Sequence, residues 1–324
     1  MSAFILRRLA QTLLVLFLTS FIVFVGLYQV GDPVEILVNP TADQAEKERA
    51  AAALGLDRPL HEQYFTFLGE SLRGNLGNSF VYGRPALEVI FERMPATLEL
   101  ALLAMLISVL VGIPLGLYAG LLPDSPGAKT IMAASVLGFS LPTFWIGLIL
   151  ILVFAVQLGW LPSTGRGPTT EVFGIQTSLL HWEGLKYALL PAINLALFKL
   201  ALIIRLTRAQ VREHSLQDYM KFARAKGLSQ RRIIGVHLMK NIMIPLVTVI
   251  GLELGSVIAF AVVTESIFAW PGMGKLVIDS IFQLDRPVVV AYLMVIVFMF
   301  ILINLAVDLL YSALDPRVRL EQAP

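Results

Sequence analysis

Long uncharged runs alternate with shorter polar stretches along this chain. Leu9–Val30, Leu100–Leu122 and the longer Ile131–Leu158 carry no charged side chain. Tyr187–Ile204 and Ile242–Val263 carry one each, Lys199 and Glu253, and Val288–Val307 ends at Asp308. About 20 apolar residues cross a bilayer's hydrocarbon core as a helix, at roughly 1.5 Å per residue. The pattern therefore predicts six transmembrane helices, the third kinked at Pro142, where proline deletes a helix hydrogen bond. Arg7 and Arg8 precede the first run, as in a secretion signal. Its 22 uncharged residues outrun the usual signal core of about 7–15, and no small-x-small site follows closely, so a retained helix is expected.

Composition agrees with lipid as the solvent. Of 324 residues, 57% are hydrophobic and 15% charged, against roughly a quarter charged in an ordinary soluble domain. The sequence has no cysteine, which excludes a disulfide framework or a thiolate metal site. The net charge of +2 carries little information; its placement carries more. Lys and Arg gather in short cytoplasmic loops. Segment 205–241 holds nine basic residues against Glu213 and Asp218, whereas 159–186 and 264–287 hold two each. Placing 205–241 inside also places Arg7, Arg8, Lys129, Arg317 and Arg319 inside, so both termini are expected to be cytoplasmic. Segment 31–97 then lies outside. Its six basic residues are no objection, since long loops cross regardless of charge. Within it, 46–56 reads as a short helix ended by Gly55, and 61–80 as a small external cap.

Three fragments look catalytic and fail. "GMGK" (272–275) lacks the earlier glycine and the Ser or Thr of a phosphate-binding loop, and His61–Glu62 meets Phe65 where a zinc site needs its second histidine. "GFSLP" (138–142) lacks the last glycine of a nucleophile elbow. His61, His181, His214 and His237 divide between the two sides on this topology. No enzyme site is expected.

The most informative polar stretch is "DYMKFARAKGLSQRRI", which begins at Asp218. Residues from about 207 to 225 favour a helix, Gly227 sits where a terminator belongs, and Ser229 stands ready to cap the next helix. Ala223 and Ala225 leave room for a close approach. Composition alone fits equally a basic loop held on anionic lipid and an element that docks a protein.

Longer motifs carry a resemblance over nearly the whole chain. "DYMKFARAKGLSQRRIIGVHLMKNIMIPLV", "RMPATLELALLAMLISVLVGIPLGLYAG" (93–120), "LPTFWIGLILILVFAVQLGWLPSTG" (141–165), "ESIFAWPGMGKLVIDSI" (265–281) and "NLAVDLLYSALDPRVR" (304–319) resemble the B-type permease subunit of dipeptide and oligopeptide importers of the ATP-binding-cassette class. The wider importer class has Glu-Ala-Ala, three residues and glycine in this loop, then Ile-x-Leu-Pro further on. Aligned on Gly227, this chain has Lys221, Phe222 and Ala223 first, and His237, Met239 and Lys240 later, so a glutamate-specific contact does not carry over.

The resemblance implies an all-α integral membrane protein of the type I importer permease fold. Residues 1–30 would form the N-terminus and first helix, 31–97 an external domain, 98–311 a permease core with coupling loop 205–241, and 312–324 a cytoplasmic tail. Asp218, Tyr219, Ala223, Arg224, Ala225, Lys226, Gly227, Leu228 and Ser229 would dock a cytoplasmic ATPase. Implied partners are a second homologous permease, two ATPase domains, an external solute-binding protein, peptide cargo and membrane lipid, with no nucleic acid. ATP and Mg would be used by the ATPases, leaving this chain without a cofactor, in a bacterial inner membrane. Nickel or another small solute is the alternative cargo, since the related family also serves nickel and some sugars. An ion-coupled secondary transporter is the rival class, disfavoured by sparse intramembrane acids and the absence of a repeat.

Lys199 and Glu253 need an account, because a charge at the bilayer centre costs roughly 2.5–3.5 kcal/mol on insertion scales. Lys199 lies near the cytoplasmic end of its span and can snorkel. Glu253 sits near mid-depth, so it lines the translocation pathway, pairs with a base, or stays protonated. Gly112, Gly116 and Gly120 read as a helix-packing face.

Overall fold

A computed structural model describes residues 2–28, 43–53 and 57–314. Gly55, Arg317 and Arg319, and the side chains of Arg7 and Arg8, lie outside what is described. The helices are α1 (Ser2–Tyr28), α2 (Gln44–Ala53), α3 (Leu60–Leu72), α4 (Ala86–Leu121), α5 (Pro126–Ser140) and α6 (Thr143–Gln157). After a two-stranded hairpin of β1 (Thr170–Val172) and β2 (Ile175–Thr177) come α7 (Trp182–Ser215), α8 (Asp218–Ala225), α9 (Gln230–Ile267), α10 (Met273–Phe282) and α11 (Arg286–Leu314). Among the described residues, α4, α7, α9 and α11 are long and apolar enough to cross a membrane, and α5 with α6 make a fifth if counted as one broken span. The described apolar run of α1, Gln11–Gly26, is shorter.

The expected third span is not one kinked helix. Its halves α5 and α6 are bent by 106°. Leu141, which precedes a proline, is extended at φ −86°, ψ 137°, and Pro142 cannot donate to the turn before it, so the helix stops and restarts. The other spans outrun their apolar windows: α7 runs from Trp182 to Ser215 with Pro191 inside it.

The chain divides into two compact units, residues 1–95 with 271–301 and residues 96–270 with 302–324. In the first, Tyr64 of α3 is buried among Phe17, Phe21 and Phe24 of α1, and its hydroxyl meets Ser20 Oγ at 3.0 Å. Fully buried Asp285 accepts from Ser79 Oγ and, at 3.1 Å, from the Phe80 amide.

In the second unit α4 packs against α7 along the glycine face the sequence predicts. A Cβ on Gly112 would stand 2.9 Å from Ile203, on Gly116 2.6 Å from Thr207 and on Gly120 2.6 Å from Val211. The partners repeat every four residues as the glycines do, so two helix faces run side by side. Ser108 Oγ extends the seam, donating to the Ala196 carbonyl at 3.1 Å. Without a hydrophobic drive between helices in lipid, such close backbone approach is what holds them. At one end of this unit Trp270 is fully buried and donates from Nε1 to the Ala96 carbonyl at 2.9 Å, beside Leu100, Ala188 and Ala192.

Candidate functional site: the surface helix α8 and the charged pair in the spans

The helix expected from about 207 to 225 is broken. α7 ends at Ser215 in a tight turn, with Gln217 N–H donating to the His214 carbonyl at 3.1 Å, and α8 starts afresh at Asp218. The stop at the other end is as predicted. Gly227 has φ +69°, a left-handed conformation that costs glycine little. Its N–H donates to the Arg224 carbonyl at 2.9 Å, and Leu228 N–H to the Ala223 carbonyl at 3.3 Å. These two bonds make a Schellman motif, which satisfies carbonyls the helix end would leave open. Ser229 stands at the N-cap of α9 as expected, but its side chain makes no cap bond; its carbonyl accepts from Arg232 and Ile233, each at 3.0 Å.

α8 has two unlike faces. Met220 and Ala223 are buried with Val211, Ile233, Leu238, Ile242 and Leu246, and Leu228 packs at the edge of that cluster. Ala223 is therefore small because its own bundle presses on it. Opposite, at helical spacing, stand Asp218, Phe222 and Ala225, all exposed, with Lys221 and Lys226 flanking. Phe222 keeps 61% of its surface exposed, and Lys226 Nζ lies 4.5 Å from its ring centre. Lys221 Nζ donates to Asp218 Oδ1 at 2.9 Å, and that hydrogen bond holds the Asp218 carboxyl below its ordinary range. Tyr219 is half-buried, its hydroxyl 3.1 Å from His214 Nδ1, and burial pushes its phenol up. Arg224 belongs to neither face: it sits on the flank beside Met220 and lines a cavity toward the ends of α4 and α7.

Sequence reasoning passed over Phe222. The signal was present, since a phenylalanine on a basic surface helix, out of phase with the buried Met220 and Ala223, has no place in the core.

Lys199 does not reach for the interface. Its Nζ donates to Glu253 Oε2 and, at 2.6 Å, to Ser256 Oγ, and Ser256 Oγ bonds the same carboxylate oxygen at 2.9 Å. The side chains keep 11% and 25% of their surface exposed, so the pair is not sealed in the core. Two further acids were missed because the helices extend past their apolar windows. Glu99 is 7% exposed and accepts from Arg166 and from the Ser178 amide and hydroxyl at 2.9 Å. Glu265 is fully buried and accepts from Thr97 Oγ1 at 2.7 Å.

Residues 112–320 match the family described as binding-protein-dependent transport system inner membrane component, and residues 1–101 match its N-terminal companion. The chain belongs to this family. The di/tripeptide transport system permease protein of Pseudomonas aeruginosa is 39% identical over 98% of this chain and 99% of its own length. The dipeptide transport system permease of Escherichia coli is 37% identical, and the oligopeptide transport system permease of Bacillus subtilis 36%, at the same coverage. Among solved structures, the methionine transporter MetNI in an inward-facing conformation matches with a TM-score of 0.53 and 16% identity, covering 70% of this chain and 96% of that one, which supports the fold. The family member described here is thus a multi-pass permease component of an ATP-binding-cassette transport system in a bacterial inner membrane.

Proposed function

We propose that this permease forms half of the translocation pathway of an ATP-driven importer of dipeptides and oligopeptides, and that α8 receives the stroke of a cytoplasmic ATPase. On this reading the chain hydrolyses nothing and binds no cofactor. A second permease of the same fold completes the pathway, two ATPase domains use ATP and Mg, and an external binding protein delivers cargo. Six spans, with α5 and α6 counted as one and α1 as another, put both termini inside. Residues 31–97 are then external, 98–311 the core and 312–324 an internal tail. The peptide cargo rests on what the relatives carry.

The observation that supports the coupling role is the division of α8. Met220 and Ala223 fasten it to Val211 of α7 and to Ile233, Leu238, Ile242 and Leu246 of α9, while Phe222 stays bare on the far side. A helix fastened by one face to two spans moves with them, and an apolar side chain left in water is an anchor looking for a pocket. Gly227 and Leu228 fix the joint, and Ala225 lets a partner backbone come close. Lysines 221 and 226 steer an acidic rim more than they add affinity. Rigid transmission suits a bundle with few discrete packings.

Lys199 and Glu253 take a place on the pathway in this reading. Their pairing keeps the wall neutral, and their partial exposure lets a zwitterionic peptide meet both charges. The test is uptake of a labelled dipeptide by proteoliposomes holding the assembled transporter. Uptake needs internal ATP and falls with Phe222→Asp, whereas proton-driven uptake by this chain alone would reject the proposal.

A further inference from the structure

A cavity of about 530 Å³ opens beside α8 on the side away from Phe222. Its polar lining is Arg212 and Ser215 at the end of α7, Arg224 on the flank of α8, and Gln230 at the start of α9; Leu121, Leu122 and Leu216 supply most of the apolar part. No carboxylate lines it, and neither guanidinium meets one among the described residues. Leu122 and Leu216 keep 53% and 76% of their surface exposed. Two exposed arginines line it, neither paired with a carboxylate among the described residues, next to leucines that a water-facing site has no use for.

We infer that this cavity holds the headgroup of an anionic phospholipid from the inner leaflet, its phosphate between Arg212 and Arg224 and the start of its chains along Leu121, Leu122 and Leu216. Depth argues for lipid. The cavity lies where the apolar run of α4 ends, at Gly120–Pro123, which is the level of headgroups for a helix that crosses the bilayer. Guanidinium donors grip phosphate oxygens two at a time, and basic pockets between spans on the cytoplasmic side are suited to such headgroups. The helix itself argues against an ATPase carboxylate as occupant. The face left for a protein partner is that of Asp218, Phe222 and Ala225, and Arg224 turns away from it.

The consequence is a division of labour among the basic residues of one short helix. Lys221 and Lys226 face the ATPase, and Arg224 faces lipid, so that α8 is pinned from above while it is pushed from below. A bound lipid would then set how freely the helix moves, making transport depend on the anionic content of the membrane.

This inference rests on the reading of α8 as a cytoplasmic coupling helix, and its test keeps the two apart. The assembled transporter is placed in nanodiscs of phosphatidylcholine with or without phosphatidylglycerol. Retained lipid and ATPase subunits are then counted by native mass spectrometry. Arg212→Gln with Arg224→Gln should weaken phosphatidylglycerol retention by about 30-fold, from two basic groups near the surface, with ATPase subunits still bound in full. Lys221→Gln with Lys226→Gln removes the same charge and should leave the lipid while loosening the ATPase. Unchanged phosphatidylglycerol in the arginine variant overturns the lipid site. So does loss of ATPase in step with lipid in that variant, which would make the cavity a socket for an acidic protein side chain. Failure of the unmodified chain to hold any ATPase rejects the coupling reading instead.

Discussion

Replacing Phe222 by alanine separates docking from folding. The side chain touches little of its own protein, with 61% of its surface in water, so Phe222→Ala leaves the buried face of α8 intact and improves its helix propensity. Phenylalanine buries roughly 150–250 Å² when fully covered, so a pocket on the ATPase would take up about 120 Å² more. At ~25 cal/mol per Å² this is about 3 kcal/mol. Alanine's own methyl and the released rotamer freedom bring the expected loss to about 2 kcal/mol, roughly 30-fold in Kd. The assay titrates purified ATPase subunits onto the permease pair in nanodiscs and, in parallel, follows thermal unfolding of the permease. Affinity within about twofold of the unmodified chain, with Tm unchanged, would refute the anchor role. A fall in Tm as large as the fall in affinity would show that Phe222 supports the bundle instead.

Other expectations follow from the packing. Gly116→Val places a Cβ 2.6 Å from Thr207 and 2.7 Å from the Ile204 carbonyl, so α4 and α7 must part; a loss of about 1–3 kcal/mol should appear as a lower unfolding temperature in detergent. Gly227→Ala meets open space but must hold φ +69°, a strain of about 1–2 kcal/mol, which should speed amide exchange at residues 224–233 without unfolding the spans. Lys199→Met and Glu253→Gln should each destabilise by roughly 1–3 kcal/mol, since each strands a half-buried partner, and the double variant should recover most of it. Additive losses would show that the two side chains do not depend on each other.

Much of the site was legible in the sequence where a local rule governs it. Gly227 announces the helix stop because a left-handed residue is required there, and the four-residue spacing of Gly112, Gly116 and Gly120 announces a seam. What escaped depends on where other segments go. Lys199 and Glu253 are 54 positions apart, and no periodicity tells a lysine that its partner stands on another helix. The 106° break at Pro142 needed the extended Leu141 to become visible. Ala223 looked like a partner's landing place and proved to be a core contact. Phe222 drew no separate notice within a stretch that favours a helix, and it stands exposed on the outward face of α8.

If α8 couples the permease to an ATPase, its outward face stays in an ATPase groove while transport proceeds. This chain has no cysteine, so Ala225→Cys, on the same exposed face as Phe222, gives it a single thiol for cross-linking. A short bifunctional reagent should join this position to the ATPase both before ATP is added and during turnover, and the bond should stop uptake of labelled dipeptide. If the thiol finds no ATPase in either state while uptake runs at its full rate, α8 transmits nothing.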